Sequence, residues 1–231
     1  MHMTDIRHEE SLVDYARKEI QSRIQNGIYQ PGSKLTALEI ASSLGISRTP
    51  VVTAINQLVA QGFAEKVSPR TTVVTPLNLP QVREIIQVRE MIELYSVDLI
   101  IRNLPFCTEI AEELDRIVEQ MFETFDEENY ARSGDLETQF HTTFISLTRN
   151  SRIIKQYESN WSIGIVFVMF ARSQTPLYKR LDSISQHKKM LDFAKAGDAE
   201  GLRGAIREHL KIVNDTLDWL IENGGNNIFT F

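Results

Sequence analysis

The chain has 231 residues, enough for two modest domains at about 100–150 residues each. Its apolar fraction of 42% and charged fraction of 24% are ordinary globular values, which excludes collagen-like, low-complexity and wholly disordered chains. The net charge of −6, taken whole, argues against nucleic acid, but the charge is unevenly divided: residues 17–77 carry seven basic and three acidic side chains, residues 78–231 carry 17 and 24. A small basic module joined to a larger acidic one is therefore expected.

The longest strongly apolar stretch, Ile163 to Ala171, is nine residues. A membrane-spanning helix needs about 20, so no membrane partner is expected. The first ten residues lack the apolar core of a secretory leader, and one cysteine, Cys107, cannot close an internal disulfide. These features point to the reducing cytoplasm.

In chain order, Leu12, Ala16, Ile20, Ile24 and Ile28 recur every four residues, one apolar stripe on a helix that Gly27 and Pro31-Gly32 end. A short helix follows at Ala37 to Leu44 with Leu38, Ala41 and Leu44 inward, closed by Gly45. Ser47 stands at the N-cap of a third helix with Pro50 in its first turn and Val51, Ala54, Ile55 and Leu58 on its inner face. Gly62 stops it. The β-like runs Phe63–Val67 and Thr71–Thr75 form a hairpin across Ser68-Pro69-Arg70. The uncharged segment 75–80, with Pro76 and Pro80, reads as a linker between a domain at 1–77 and another at 81–231. Helical spacing then runs through Val82–Ile101, Ile110–Phe125, Leu136–Leu147, Ile153–Ala171, Leu177–Ala196 and Ala199–Ile221, with no period-two run. The second domain is thus expected to be an all-α bundle of six or seven helices without a sheet, with a frayed tail at Gly224–Asn227.

Two short helices joined by a glycine-containing turn, followed by a hairpin, make a winged helix-turn-helix. The second of these helices enters the major groove and shows its N-terminal side chains to base edges. Here Arg48 can reach a guanine edge or a phosphate. Thr49 and Thr53 can bond phosphates or bases, and Thr53 adds a methyl for thymine. Asn56 can pair with adenine, and Arg70 at the hairpin tip can meet the backbone or minor groove.

Three blocks carry a closer likeness: Gly27-Ile28-Tyr29-Gln30-Pro31-Gly32-Ser33-Lys34-Leu35, Leu44-Gly45-Ile46-Ser47-Arg48-Thr49-Pro50-Val51, and Leu58-Val59-Ala60-Gln61-Gly62-Phe63. Over Leu12 to about Leu77 the chain resembles the N-terminal domain of the GntR family of bacterial transcriptional regulators. Where that family usually has arginine and then glutamate after Thr-Pro-Val, this chain has Val52 and Thr53, and its wing reads Arg70-Thr71 rather than Arg-Gly. A lost guanidinium removes about 1–3 kcal/mol of base discrimination, so the expectation is either an operator that departs from the family's commonest half-site or a lower affinity.

The helical region holds three histidines, His141, His187 and His209, one on each of three predicted helices, and Glu137 lies one turn before His141 on the same face. Three imidazoles and a carboxylate can converge on one ion in a bundle core. Imidazole suits zinc, nickel, copper or iron, and carboxylate widens the choice to manganese; zinc is the first choice, with nickel or manganese as alternatives. Asp135 is the other nearby acid, but it faces elsewhere on its helix. From about Gln81 to Ile221, Glu137-Thr138-Gln139-Phe140-His141, Ser183-Ile184-Ser185-Gln186-His187, His209 and Val88-Arg89-Glu90-Met91-Ile92-Glu93 resemble the effector domain of the FadR-type GntR branch, the FCD domain. That resemblance implies an all-α fold, a divalent metal held by three histidines and an acid (usually aspartate, here Glu137), and a small carboxylate beside it. Arg89 is the expected carboxylate clamp, with Arg172 the weaker candidate, and Ser183 can bond the ligand or orient His187.

The resulting expectation is a ligand-responsive regulator, not an enzyme. It would be a homodimeric repressor of a carbohydrate-acid or organic-acid catabolic operon, bound to a palindromic operator whose half-sites lie about one turn apart. The alternative is a zinc-dependent hydrolase with a tethered helical module, since three histidines and a water are a catalytic zinc pattern. No HExxH motif supports it.

Overall fold

The computed structural model describes the backbone of residues 11–125, 130–174, 177–223 and 229–230. Within these, the side chains at 25, 77–79, 130–131, 162–163, 166–174, 177–181, 220–221, 223 and 229–230 lie outside the description.

Helix α1 (Leu12–Gln25) starts at Ser11, whose hydroxyl accepts from the Asp14 amide. Asn26 caps its far end and Gly27 leaves it at φ +71°, so the helix is shorter than the apolar stripe suggested. Ile28 lies beyond it and is exposed, while Ala16, Ile20 and Ile24 are buried. Helix α2 (Ala37–Leu44) closes at Gly45 in the left-handed region, φ +67°, where a side chain would be strained. Its inner face is Ile40 and Ala41; Leu38, expected inward, is 67% exposed. An eight-residue helix has room for one narrow stripe, and Ile40 takes the place Leu38 was given. Arg23 donates to Ser43 Oγ at 2.8 Å, tying α1 to α2.

Helix α3 (Arg48–Ala60) buries Val51, Ala54, Ile55 and Leu58, as the spacing predicts. Ser47 holds the N-cap position in extended backbone but makes no side-chain capping bond. The wing is β1 (Ala64–Ser68) against β2 (Thr71–Val74), antiparallel, with a register shift between Lys66 and Ser68. Segment 32–35 lies along β2, its Leu35 amide donating to the Thr72 carbonyl and its Ser33 carbonyl accepting from Val74.

The helices that follow are α4 (Leu79–Asn103), α5 (Thr108–Glu123), α6 (Tyr130–Ser146), α7 (Ser151–Gln174), α8 (Leu177–Ala196) and α9 (Ala199–Asn223), with a 3₁₀ turn at Leu104–Phe106. One expectation needs correction. Leu77–Asn78 (β3) pairs in parallel with Phe229–Thr230 (β4), so a two-residue ladder joins the presumed linker to the C-terminal end. Pairs this short leave no period-two pattern to read. The predicted fraying at 224–227 falls outside the described residues.

Two apolar cores form. One is continuous from the N-terminal module into the bundle, joining Ala16, Ile20 and Phe63 to Ile86, Tyr157, Trp161, Ile165 and Leu217. The other fills the far part of the bundle around Leu114, Phe140, Phe144, Met190 and Ile206. The cluster described next lies at the seam between them.

Candidate functional site

The outer face of α3 is free. Arg48, Thr49, Val52, Thr53 and Asn56 are all exposed, and the bundle does not cover them. Arg70 is exposed at the hairpin turn, where its amide contacts Ser68 Oγ. Thr53 Oγ1 donates back to the Thr49 carbonyl at 3.3 Å, the usual engagement of a helical threonine hydroxyl. All five predicted DNA contacts thus lie on exposed surface of the reading helix and the wing.

The second group of residues is buried and convergent. Glu137 and His141, one turn apart on α6, meet His187 from α8, His209 from α9 and Arg89 from α4; all five are 3% exposed or less. His187 Nε2 is 3.0 Å from His141 Nε2. Glu137 Oε2 is 3.3 Å from His187 Nε2 and 3.5 Å from His141 Nε2. The donor nitrogens of the three histidines all lie within 4.8 Å of one another. Aromatic walls fix the rings. Phe140 packs edge-on against His141 and His187, and Trp161 lies 4.8 Å from His141 on the other side.

Arg89 is more deeply involved than its expected role required. Its Nη2 is 2.9 Å from His141 Nε2 and 2.9 Å from His209 Nε2, its Nε donates to Glu93 Oε1 at 2.6 Å, and its guanidinium lies over the Trp161 ring at 4.7 Å. Tyr157 donates to the same Glu93 oxygen at 2.6 Å. Burial opposes the charge on both Arg89 and Glu93, but their attraction outweighs it: Arg89 is held protonated and Glu93 ionised below the ordinary carboxylate range. Burial, then the Arg89 charge, pushes His141 down to about 4. Burial, then His187 and Arg89, also drives His209 well below its ordinary value. Both rings are therefore neutral near pH 7 and each offers one bare nitrogen.

The donor set fits a divalent ion. Ligand bonds of about 2.1 Å span edges of about 3.0 Å in an octahedron and about 3.4 Å in a tetrahedron. The three edges among Glu137, His141 and His187, at 3.0, 3.3 and 3.5 Å, bracket those values, and His209 lies within 4.8 Å of the other two histidines. Two neutral imidazoles and a carboxylate suit zinc, nickel or manganese. The outer shell is thin: His187 Nδ1 and His209 Nδ1 are buried without a hydrogen-bond partner, as are Glu93 Oε2 and Gln186 Oε1.

Asp135 is exposed, which leaves Glu137 as the carboxylate of α6 in this cluster. Ser183 is half-buried one turn before His187 and makes no hydrogen bond to the cluster. Arg172 lies on α7, and its side chain is outside the described residues. Glu93 and Tyr157 were not predicted as site residues. The spacing Arg89–Glu93, one helical turn, was the available signal for Glu93; Tyr157, like Trp161, reads from the sequence as core packing before cavity lining, because the sequence does not say which helix faces α4.

The exposed helix with its wing, beside a helical body enclosing a polar cluster, is the arrangement of a DNA-binding transcriptional regulator. Residues 12–74 match the family model of bacterial regulatory proteins of the gntR family, and residues 84–211 match the FCD domain. The chain belongs to the GntR family and carries an FCD domain. It is 23% identical over 216 residues to an uncharacterized HTH-type transcriptional regulator, YdhC, of Bacillus subtilis, covering 90% of this chain and 92% of that one. It is 25% identical over 200 residues to a probable D-xylose utilization operon transcriptional repressor of Paenarthrobacter nicotinovorans, covering 87% and 86%. Its fold matches that of E. coli McbR/YncC with a TM-score of 0.75 at 20% identity, over 93% of this chain and 100% of that one. A GntR regulator from Rhodococcus gives a TM-score of 0.69 at 19% identity, over 90% and 99%. These relatives are regulators, and the chain is not an enzyme; the hydrolase alternative is set aside. No helix among the described residues is long and apolar enough to cross a membrane.

Proposed function

We propose that the protein is a cytoplasmic, homodimeric repressor that releases operator DNA when a small organic acid binds at a metal centre in its helical domain. Residues 1–77 read the operator, with Arg48, Thr49, Thr53, Asn56 and Arg70 as its contacts, and residues 81–231 sense the ligand and pair the chains. Glu137, His141, His187 and His209 hold the ion, which supplies a Lewis-acidic anchor for a carboxylate. The repressor sense follows the D-xylose operon relative. Two-fold pairing is supported by Met91 and Tyr95, one turn apart on α4 and 64% and 70% exposed, an apolar patch of the kind that partners cover.

The observation that carries this reading is the position of Arg89 Nη2, 2.9 Å from two of the three imidazole Nε2 atoms. Each neutral nitrogen has one lone pair, so it either accepts from Arg89 or binds an ion. His141 and His209 would therefore hold an ion only with the Arg89 guanidinium moved off their rings, and a permanently charged arginine beside such a cation would call for an anion between them. A carboxylate satisfies the planar fork of Arg89. Arg89 also lies on Trp161, which donates to Thr138 Oγ1 at 2.9 Å and borders a cavity of about 590 Å³ shared with Arg17, Gln21 and Phe63 of the DNA-reading module. Movement of Arg89 thus reaches the contact between reader and bundle through one aromatic ring. Ligand shifts the balance between placements of the reader only by its differential affinity for them.

The test is a gel-shift assay with the DNA upstream of the protein's own gene, in zinc-supplemented buffer, across a panel of sugar acids and hydroxy acids. Retardation by the protein, relieved by one acid that also raises its melting temperature, supports the reading. An acid at 100 times its Kd adds about 2.7 kcal/mol to stability. Retardation that no acid alters, with no thermal shift, overturns the sensor part of the proposal.

A further inference from the structure

We propose that Val52 and Thr53 read the C5-methyl groups of thymines, so that the operator half-site carries A·T pairs, rather than G·C pairs, opposite the second turn of α3. The inference rests on reading α3 as the groove-facing helix, and it goes beyond that reading to the bases chosen.

Helix α3 exposes a face that is almost without charge. Arg48 is the one charged residue among the helix's 13, and it stands at the first position. The exposed surface behind it includes Thr49, Val52, Thr53, Asn56 and Gln57. Val52 is 39% exposed, an apolar side chain standing among polar ones on the part of a recognition helix that enters the groove. Its neighbours Val51, Ala54, Ile55 and Leu58 fill the core face, and Val52 is not among the buried residues of the helix. The Thr53 hydroxyl is occupied by the Thr49 carbonyl, which leaves its methyl as the free part of the side chain. Two branched, methyl-bearing groups therefore stand side by side where base edges would lie.

In the major groove the thymine methyl is the one apolar group on offer; guanine presents two acceptors there and cytosine a donor. Val52 and the Thr53 methyl gain by covering a thymine methyl. Set against guanine or cytosine, they would cover a polar base edge and give it no partner, which costs binding. Attraction to one base and penalty against the others act in the same direction, and together they make a specificity determinant. Asn56, one turn on from Val52 on the same exposed face, suits adenine, so the polar reader next in line is compatible with the same A·T pairs.

The test uses the full-length protein and a library of randomised duplexes. The selected half-site is then rebuilt with 2′-deoxyuridine replacing thymine at one position at a time, which removes a methyl and leaves every hydrogen-bonding group. Affinity is expected to fall about three- to five-fold at each of two positions, the worth of one buried methyl. Val52→Ala is expected to make one of those positions insensitive to the uracil swap, and Thr53→Ser the other, while both variants keep the parental melting curve because the sites are exposed. Because the swap is read first on the unaltered protein, a misfolded variant does not decide the outcome. Strong selection for G·C pairs at these positions, or equal binding of thymine and uracil duplexes, overturns the methyl reading while leaving α3 as the reading helix. Failure to enrich any sequence overturns both.

Discussion

Replacing Arg89 with Met tests the seam of the molecule from two directions. In the parent, the Arg89 Nε–Glu93 Oε1 bond is 2.6 Å and both side chains are almost fully enclosed, at 4% and 2% exposure. Removing the cation leaves the buried Glu93 carboxylate with the Tyr157 hydroxyl as its hydrogen-bond donor. Breaking a buried pair from one side costs about 3–5 kcal/mol, most of it the penalty of the remaining charge. The Arg89→Met, Glu93→Gln double variant removes that charge and keeps an acceptor for Tyr157, so it is expected to recover most of the loss. The same double variant strips the competing donor from His141 and His209. A hydrogen bond to a charged group is worth about 1.5–3 kcal/mol, so zinc should bind the double variant at least about tenfold more tightly than it binds the parent. Urea unfolding of chelator-treated protein measures the first effect and zinc titration the second. An Arg89→Met protein as stable as the parent, or a double variant with unchanged zinc affinity, would refute the argument.

Three further outcomes follow from the same geometry. The metal-free protein should lose about 3 kcal/mol between pH 6.5 and about 4 through His141 alone: the unfolded ring takes up its proton near 6.5, the folded one only near 4, so stability is full above that window and declines through it as pH falls. His209 acts in the same direction, and His141→Gln should flatten the profile measured by urea midpoints. Gly201→Ala places a methyl into the Phe193 ring and the Asp198 carboxylate at the start of α9, a crowding expected to cost about 1–3 kcal/mol in a thermal melt. Arg70→Ala, at the wing tip, should weaken binding to all duplexes alike and reduce the slope of log affinity against log salt by about one, a change that titration at several salt concentrations measures directly.

Much of this architecture was open to a reader of the sequence because it is written in local rules. Helix α2 has the predicted bounds, Ala37 to Leu44, since a glycine needing positive φ marks its end. The stripe Val51, Ala54, Ile55, Leu58 fixes which side of α3 is inward, and hence which side is free. The misses are those that need tertiary knowledge. Ile28 continues the four-residue rhythm of α1 in sequence, but the chain has already turned at Gly27. Leu38 is as apolar as Ile40, and only the position of α1 and α3 decides which one is covered. Pairing of Leu77–Asn78 with Phe229–Thr230 joins segments about 150 residues apart, with no pattern in either to announce it. At the cluster, residue type and one-turn spacing identified Glu137 and His141 as facing together. That α4 feeds Arg89 into the midst of the imidazoles, and that Tyr157 of α7 joins its Glu93 brace, emerges from helix packing alone.

Whether Glu137, His141, His187 and His209 form one divalent-metal centre is decided by calorimetric titration of zinc into chelator-treated protein. One ion per chain, taken up saturably, with uptake abolished in His187→Ala and weakened in Glu137→Gln, is the predicted result. No saturable uptake by the parent, or parental uptake by His187→Ala, would contradict it.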